Sequence, residues 1–220
     1  TAGGFTGRFA GRINGQAPVE GQVAPSTHGS MVRVTSADGG AVLSAAGIFP
    51  NARGGQLDMT LTPLEQGGYT GDATLSDVRI RNAPVLAELL SAVSIVGLLE
   101  QLNGSGILFT DADARFRLTS GGVDIRRAAA VGASMGVSLA GVYRAETRQL
   151  DMQGVISPLY LVNGIGAILT RRGEGLFGVN YRITGPTADP NVTVNPLSIL
   201  TPGMFREIFR RPPPRIRAGG

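Results

Sequence analysis

The residues that could perform covalent chemistry are few and poorly spaced for it. With one histidine and no cysteine among 220 residues, a thiolate nucleophile and a histidine-rich metal site are excluded. Residues 132–136 read G-A-S-M-G, which matches the G-x-S-x-G pattern of serine hydrolases with Ser134 as the nucleophile. That pattern needs a strand before the serine, a helix after it and a histidine later in the chain. Here a strand follows and His28 lies upstream, so the pattern predicts a hairpin turn at Ser134 and an exposed loop at His28.

Two further patterns could bind a nucleotide or a metal ion. Residues 173–178 read G-E-G-L-F-G and match G-x-G-x-x-G, but a dinucleotide-binding fingerprint follows a strand and opens a helix. This copy opens a predicted strand, which favours a turn. Asp111 and Asp113 could share a divalent ion, although aspartates at a strand end that faces water are commoner. The sequence therefore predicts no catalytic residue, no metal and no cofactor.

The net charge of +4 comes entirely from the C-terminal end of the sequence. Residues 206–220 contain five arginines and one glutamate, whereas fifteen arginines balance fifteen acidic residues in residues 1–205. A nucleic-acid-binding domain would have a basic face, so the neutral body argues against that function. We predict a single domain over residues 1–205, followed by a basic, proline-rich tail over residues 206–220.

Alternation of apolar and polar residues between glycine turns predicts a series of antiparallel strands. The alternation is clearest at Leu57, Met59 and Leu61, which have polar residues between them. Glycine accounts for 33 of the 220 residues, which suits many tight turns. Further strands are predicted at residues 31–34, 41–49, 69–80, 107–118, 123–130, 135–143, 150–156, 177–183 and 192–194. The predicted fold is mainly β with inserted α: a long curved antiparallel sheet that forms a groove.

Two apolar segments predict helices inserted into this sheet. From Pro84 to Asn103 the leucines and valines recur at helical spacing, and at ~1.5 Å per residue they predict one helix nearly 30 Å long. Residues 159–169 predict a shorter helix, weakened by glycine. The longest apolar stretch, residues 89–99, is closed by Glu88 and Glu100 and is shorter than the ~20 residues that span a bilayer. We expect both helices to pack on the concave, apolar face of the sheet.

The tail combines aromatic and basic side chains. This combination favours contact with an anionic membrane surface or with an envelope protein. The candidate contact residues are Phe205, Arg206, Phe209, Arg210, Arg211, Arg215 and Arg217. The alternative is a solvated terminus that only ends the chain.

The most specific pattern lies near the end of the sequence. Residues 185–190 read G-P-T-A-D-P, and residues 195–203 read N-P-L-S-I-L-T-P-G. This ending resembles the C-terminal region of the AsmA-like family, a group of large bacterial envelope proteins. The strands at residues 57–59 and 173–183, and the apolar helix before residues 104–106, also look like this family. The similarity extends over about residues 55–210.

The resemblance implies both a fold and a function. AsmA-like proteins are anchored in the inner membrane by an N-terminal helix, cross the periplasm and form a long β-sheet curled around an apolar interior. The family is linked to phospholipid movement between the inner and outer membranes, without known catalysis or cofactor. By this resemblance, the chain is the C-terminal periplasmic portion of such a protein from a Gram-negative bacterium. Its expected role is phospholipid transport and envelope integrity, with phospholipid as the ligand.

Under this hypothesis the groove binds acyl chains, because lipid tails need no polar recognition. The candidate groove residues are Leu57, Met59, Leu61, Leu86, Leu89, Leu90, Val93, Met135, Val137 and Leu139. The alternative is a non-enzymatic assembly domain of envelope biogenesis whose own helices fill the groove. An esterase that uses Ser134 is the third hypothesis.

Overall fold

The computed structural model describes residues 5–158 and 178–195. The strands are β1 Gly7–Ile13, β2 Ala17–Ser26, β3 Gly29–Ser36, β4 Gln56–Pro63, β5 Tyr69–Ile80, β6 Ile107–Thr119, β7 Gly122–Val131, β8 Met135–Arg144, β9 Gln149–Pro158, β10 Val179–Pro186 and β11 Asn191–Asn195. They form one antiparallel sheet in which every strand pairs with its neighbours in sequence. The sheet is open, with β1 and β11 at its two edges. The predicted mainly β architecture is confirmed.

Within the described residues, three helices interrupt the strands: α1 Gly39–Ala45, α2 Pro84–Ala92 and α3 Val96–Asn103. The long helix predicted from Pro84 is instead the pair α2 and α3. The chain turns between them at Ser94, whose φ is 59°. This turn lets both short helices direct leucines into the core, which one straight helix could not do across a curved sheet. Three predictions fall outside the described residues. They are the shorter helix at residues 159–169, the start of the strand predicted at the G-x-G-x-x-G pattern, and the tail.

The strand predicted over residues 41–49 is wrong, because residues 39–45 form α1. Asp38 caps this helix: its Oδ1 accepts hydrogen bonds from the backbone N–H groups of Ala41 and Gly54, both at 2.9 Å. At Gly40, a Cβ atom would lie 2.4 Å from the backbone nitrogen of Arg53, so only glycine fits where α1 packs against this residue. Periodicity over so few residues does not distinguish a buried strand from a buried helix turn, and the cap decides between them.

Replacing Asp38 by alanine is expected to lower the free energy of unfolding by about 1–2 kcal/mol, because two backbone donors lose their acceptor. Urea unfolding followed by circular dichroism measures this change. Asp38→Asn keeps an oxygen acceptor and should lose less. An equal loss in the two variants would argue against the capping role.

The register divides the sheet into two chemically different faces. Residues that pair directly across antiparallel strands point to the same face. Two adjacent rows cross all eleven strands with only apolar residues, glycine and one tyrosine. The first row is Phe9, Gly21, Val34, Met59, Ala73, Ala114, Ala128, Leu139, Gly154, Tyr181 and Val194. The second is Gly7, Val23, Val32, Leu61, Gly71, Phe116, Ile125, Gly141, Met152, Ile183 and Val192. We call this side the apolar face.

The opposite side, the polar face, is covered by ion pairs between neighbouring strands. Arg115 Nε lies 2.6 Å from Asp72 Oδ1, and Arg182 Nη2 lies 2.9 Å from Asp151 Oδ1. A third pair joins Arg33 to Asp58. All these side chains remain well exposed to solvent, so each pair adds little to stability. The ion-paired part of the polar face is therefore solvated, whereas Val142 and Val155, which the register places on the same face, are buried.

The ion pair between Arg33 and Asp58 should change the titration of the Asp58 carboxyl. The hydrogen bond from Arg33 holds the pKa of the Asp58 carboxyl below its ordinary value. A carboxyl with a depressed folded-state pKa contributes stability above its unfolded pKa and loses it as the pH falls through the folded pKa. In an NMR titration, Arg33→Gln should raise the pKa of Asp58 towards its ordinary value. An unchanged Asp58 titration in this variant would refute the pairing.

The sheet curves towards its apolar face. Helix α2 contacts β11, although five strands lie between β5 and β11. Strands ~4.8 Å apart would place β5 and β11 roughly 29 Å from each other in a flat sheet, about twice the length of this nine-residue helix. Leu89 and Leu90 of α2 share one core with Val192 and Val194 of β11. The apolar face is therefore the concave side, and α2 bridges part of the groove.

Candidate functional site

The two ends of the groove differ, because the helices of the described part of the chain lie at only one of them. In a sheet of consecutive antiparallel strands, every second connection lies at the same end. The connections that contain α1 and the α2–α3 pair are both of the odd-to-even type, so they lie at one end, which we call the helical end. The opposite end, the turn end, has only short connections: residues 27–28, 64–68, 120–121, 145–148 and 187–190.

Burial of the apolar face decreases from the helical end to the turn end, except at Pro63 and along β10, where Val179, Tyr181 and Ile183 are all buried. At the helical end Leu57 is 8% exposed and Ile156 is fully buried, since α1 and the α2–α3 pair pack over this region. Closer to the turn end, Leu61 is half-buried, and Leu118 reaches 37% exposure. The groove is therefore filled by the protein's own side chains at the helical end and accessible at the turn end.

Six apolar side chains near the turn end form a contiguous area that we call the open patch. They lie on β3, β4, β6 and β7, and none of them packs against the buried core of the described residues. They are Val32, Leu61, Phe116, Leu118, Val123 and Ile125. The open patch is therefore a part of the apolar face, on the central strands, that is accessible to a ligand.

The register places all six predicted strand residues on the apolar face. Met59 on β4 and Leu139 on β8 belong to the same row, and Leu57 shares a row with Val137. Their environments differ, because Met135 is fully buried while Leu61 belongs to the open patch. Among the predicted helix residues, Leu89 and Leu90 are buried, and Leu86 and Val93 pack against the same core.

Sequence reasoning missed most of the open patch. Val32 and Phe116 lie in predicted strands, so alternation could have placed them on the apolar face. Ile125 is different, because β7 has a register shift between Ile125 and Ala128. Counting by twos puts these two residues on opposite faces, whereas the irregularity brings both to the apolar face. A local bulge of this kind has no clear signal in a single sequence.

Searches against protein families, curated proteins and solved structures find no match to this chain. In the described part of the chain, no helix is long and apolar enough to cross a membrane. The candidate function therefore rests on the geometry of the apolar face.

The single buried hydroxyl in the apolar rows is satisfied inside the protein. Tyr181 donates a hydrogen bond of 2.7 Å to the backbone carbonyl of Ser138, and burial raises the pKa of this phenol above its ordinary value. The Ser138 hydroxyl in turn accepts a hydrogen bond of 3.2 Å from the N–H of Val155. Tyr181 therefore brings no charge to the groove, and its polar atom is not available to a ligand.

The residues with possible catalytic or metal-binding chemistry do not come together. His28 lies in the β2–β3 turn at the turn end, whereas Ser134 lies between β7 and β8 at the helical end. Ten-residue strands separate these ends by roughly 30 Å, which no proton transfer spans directly. Asp111 and Asp113 lie on the exposed polar face of β6. Over residues 5–158 and 178–195, no group of three potential metal ligands occurs.

The polar face also contains a depression of ≈ 880 Å³ over β1–β6. One row of its lining consists of Glu20, Thr35, Asp58 and Thr74, followed by Asp113. The depression lies on the opposite side of the sheet from the open patch. Its carboxylates make it unsuitable for an apolar ligand.

Proposed function

We propose that this chain is a non-enzymatic phospholipid-binding domain that holds acyl chains on the apolar face of its curved sheet. The observation that supports the proposal is the pair of apolar rows that runs across all eleven strands, opposite a face covered with ion pairs. A soluble domain rarely leaves a large apolar area uncovered unless that area binds something. The open patch is such an area.

The dimensions of the groove suit one acyl chain. The helices cover the row of Leu57, and four residue steps of β4 separate the half-buried Met59 from Pro63, which at ~3.4 Å per residue gives roughly 14 Å. One leaflet of a bilayer has an apolar thickness of roughly 15 Å, half of the ~30 Å hydrocarbon core. An acyl chain that lies along the strands therefore fits between the helical end and the turn end.

The chemistry at the turn end suits the boundary between an acyl chain and water. Tyr69 and Tyr143 lie one row beyond Leu61 on the apolar face, and both are half-buried. Tyrosine favours such boundaries, because its ring is apolar and its hydroxyl is polar. We therefore place the acyl chains towards the helical end and the polar head group at the turn end.

The cellular role follows from the resemblance of the sequence to the AsmA-like family. We propose that the chain is the C-terminal periplasmic portion of an inner-membrane-anchored envelope protein of a Gram-negative bacterium. It would then contribute to phospholipid transport between the inner and outer membranes. In this proposal the arginine-rich tail, residues 206–220, contacts a membrane surface or an envelope protein.

Site-specific photocrosslinking tests the binding face. A photoreactive amino acid at Met59 lies on the apolar face, and one at the adjacent Thr60 lies on the polar face. After incubation with phosphatidylethanolamine vesicles, mass spectrometry should find a lipid adduct at position 59 and none at position 60. Adducts at neither position, together with a lipid-free mass of the purified chain, would contradict the proposal and favour an assembly domain.

A further inference from the structure

Three aromatic side chains on the apolar face lie directly opposite a glycine of a neighbouring strand. The pairs are Phe9 with Gly21, Phe116 with Gly71, and Tyr181 with Gly154. These are the three aromatic residues in the two continuous apolar rows. Aromatic residues nearer the turn end differ, since Tyr69 lies opposite Pro63 and Leu118.

In two of these pairs the aromatic ring occupies the space above the glycine. A Cβ atom on Gly71 would lie 2.3 Å from Cζ of Phe116, and one on Gly21 would lie 2.0 Å from Cζ of Phe9. Both distances are far below van der Waals contact. The rings therefore lie across the neighbouring strand and cover its backbone, as aromatic residues do over glycine in sheets.

The backbone gives no other reason for glycine at position 71. Its φ is not in the left-handed region, and the three nearest atoms to an added Cβ all belong to the Phe116 ring. Gly154 differs, since its nearest neighbour would be the backbone oxygen of Ser138 at 1.9 Å. Gly71 is therefore the clearest case of a glycine that accommodates a ring.

The Gly71–Phe116 pair lies at the middle of the groove. Phe116 belongs to the open patch, and the adjacent row of the same three central strands consists of Ala73, Ala114 and Ala128. The floor over β5, β6 and β7 is therefore low, with a flat ring beside three methyl groups. A Phe116 ring that stood upright would project into the space above this floor.

We propose that Gly71 is a specificity-determining residue: it keeps the Phe116 ring flat on the sheet and so leaves room for an acyl chain above β5–β7. This inference rests on the proposed lipid-binding function. In this arrangement the Phe116 ring lies under the lipid, and the side chain at position 71 determines how much space remains between the ring and the acyl chain.

Substitution of Gly71 in the full chain tests the inference. Gly71→Ala should displace the ring and lower the affinity for phosphatidylethanolamine, measured by native mass spectrometry, by about tenfold or more, as for a misplaced methylene in an apolar site. Gly11→Ala is the matched control, because a Cβ atom there meets nothing within 4 Å. Adding Phe116→Leu to Gly71→Ala should restore binding, since no ring remains to be displaced.

A second readout reports the ring position without any lipid. In wild-type protein, the Hα resonances of Gly71 should show a ring-current shift from Phe116, and Gly71→Ala should change the shift at this position. If the ring moves but lipid affinity stays at the wild-type value, the inference is overturned while the proposed function stands. If wild-type protein binds no phospholipid, both are overturned.

The Phe116→Leu variant decides the question if Gly71→Ala does not fold. It removes the ring, so adding Gly71→Ala to it should leave its phosphatidylethanolamine affinity unchanged, because no ring remains to be displaced. A tenfold loss on adding Gly71→Ala to Phe116→Leu would mean that residue 71 acts without the ring, and its role in clearance would be refuted.

Discussion

Leu61→Asp is expected to lower phospholipid affinity by about 100-fold or more, because an acyl chain would have to bury an unpaired carboxylate. Leu61 lies in the open patch, half-buried, between Val32 and Gly71 of the neighbouring strands. In the lipid-free protein the new carboxylate remains hydrated, so the sheet should still form. Binding to phosphatidylethanolamine vesicles by flotation, with circular dichroism to check folding, measures the effect.

The adjacent residue provides the matched control. Thr62 is exposed on the polar face, opposite Thr70, so Thr62→Asp adds the same charge on the same strand without facing the groove. Its lipid affinity should stay near the wild-type value. Equal losses in the two variants would indicate repulsion from the membrane surface and count against the apolar face as the binding site.

Leu90→Ala is expected to lower the free energy of unfolding by about 2–5 kcal/mol, the usual cost of removing a fully buried leucine side chain. Leu90 is 0% exposed and belongs to the core that α2 shares with β11. Because α2 bridges part of the groove, the cavity should also weaken the contact between α2 and β11. Urea unfolding measures the stability, and hydrogen exchange at β11 reports the contact.

Val96→Ala is the control for the same helical pair. Val96 lies in α3 and is 63% exposed, so its truncation should change the free energy of unfolding by no more than about 0.5 kcal/mol. If Leu90→Ala costs as little as Val96→Ala, α2 does not contribute to the core, and the helical end of the groove is not closed by it.

Local sequence patterns were sufficient to predict most strands, because the alternation of apolar residues and the preferences of turn residues act over a few positions. The strand predicted at residues 69–80 coincides with β5, and Met59 and Leu139 lie on the same face as their alternation requires. Within a strand that has no register shift, a side chain's face depends on its parity along the strand. The mainly β fold and the apolar character of one face were therefore predictable from the sequence.

The helical segments were less predictable, because their ends depend on tertiary contacts. The Asp38 cap joins residues 41 and 54 across a loop, and this contact selects helix α1 over a strand. The break at Ser94 similarly lets α2 and α3 fold back on a curved sheet. Periodicity describes the apolar side of such a segment but not its neighbours in space.

The sequence by itself determined which side chains share a face within each regular strand, whereas the tertiary structure decided which of them remain open to a ligand. Met135 and Leu61 have the same alternating pattern, yet Met135 is buried at the helical end and Leu61 lies in the open patch. The parity of a residue along its strand does not show whether an inserted helix packs over it. That position depends on the order of the strands, the curvature of the sheet and the register shift at Ile125, all of which arise from contacts between residues distant in sequence.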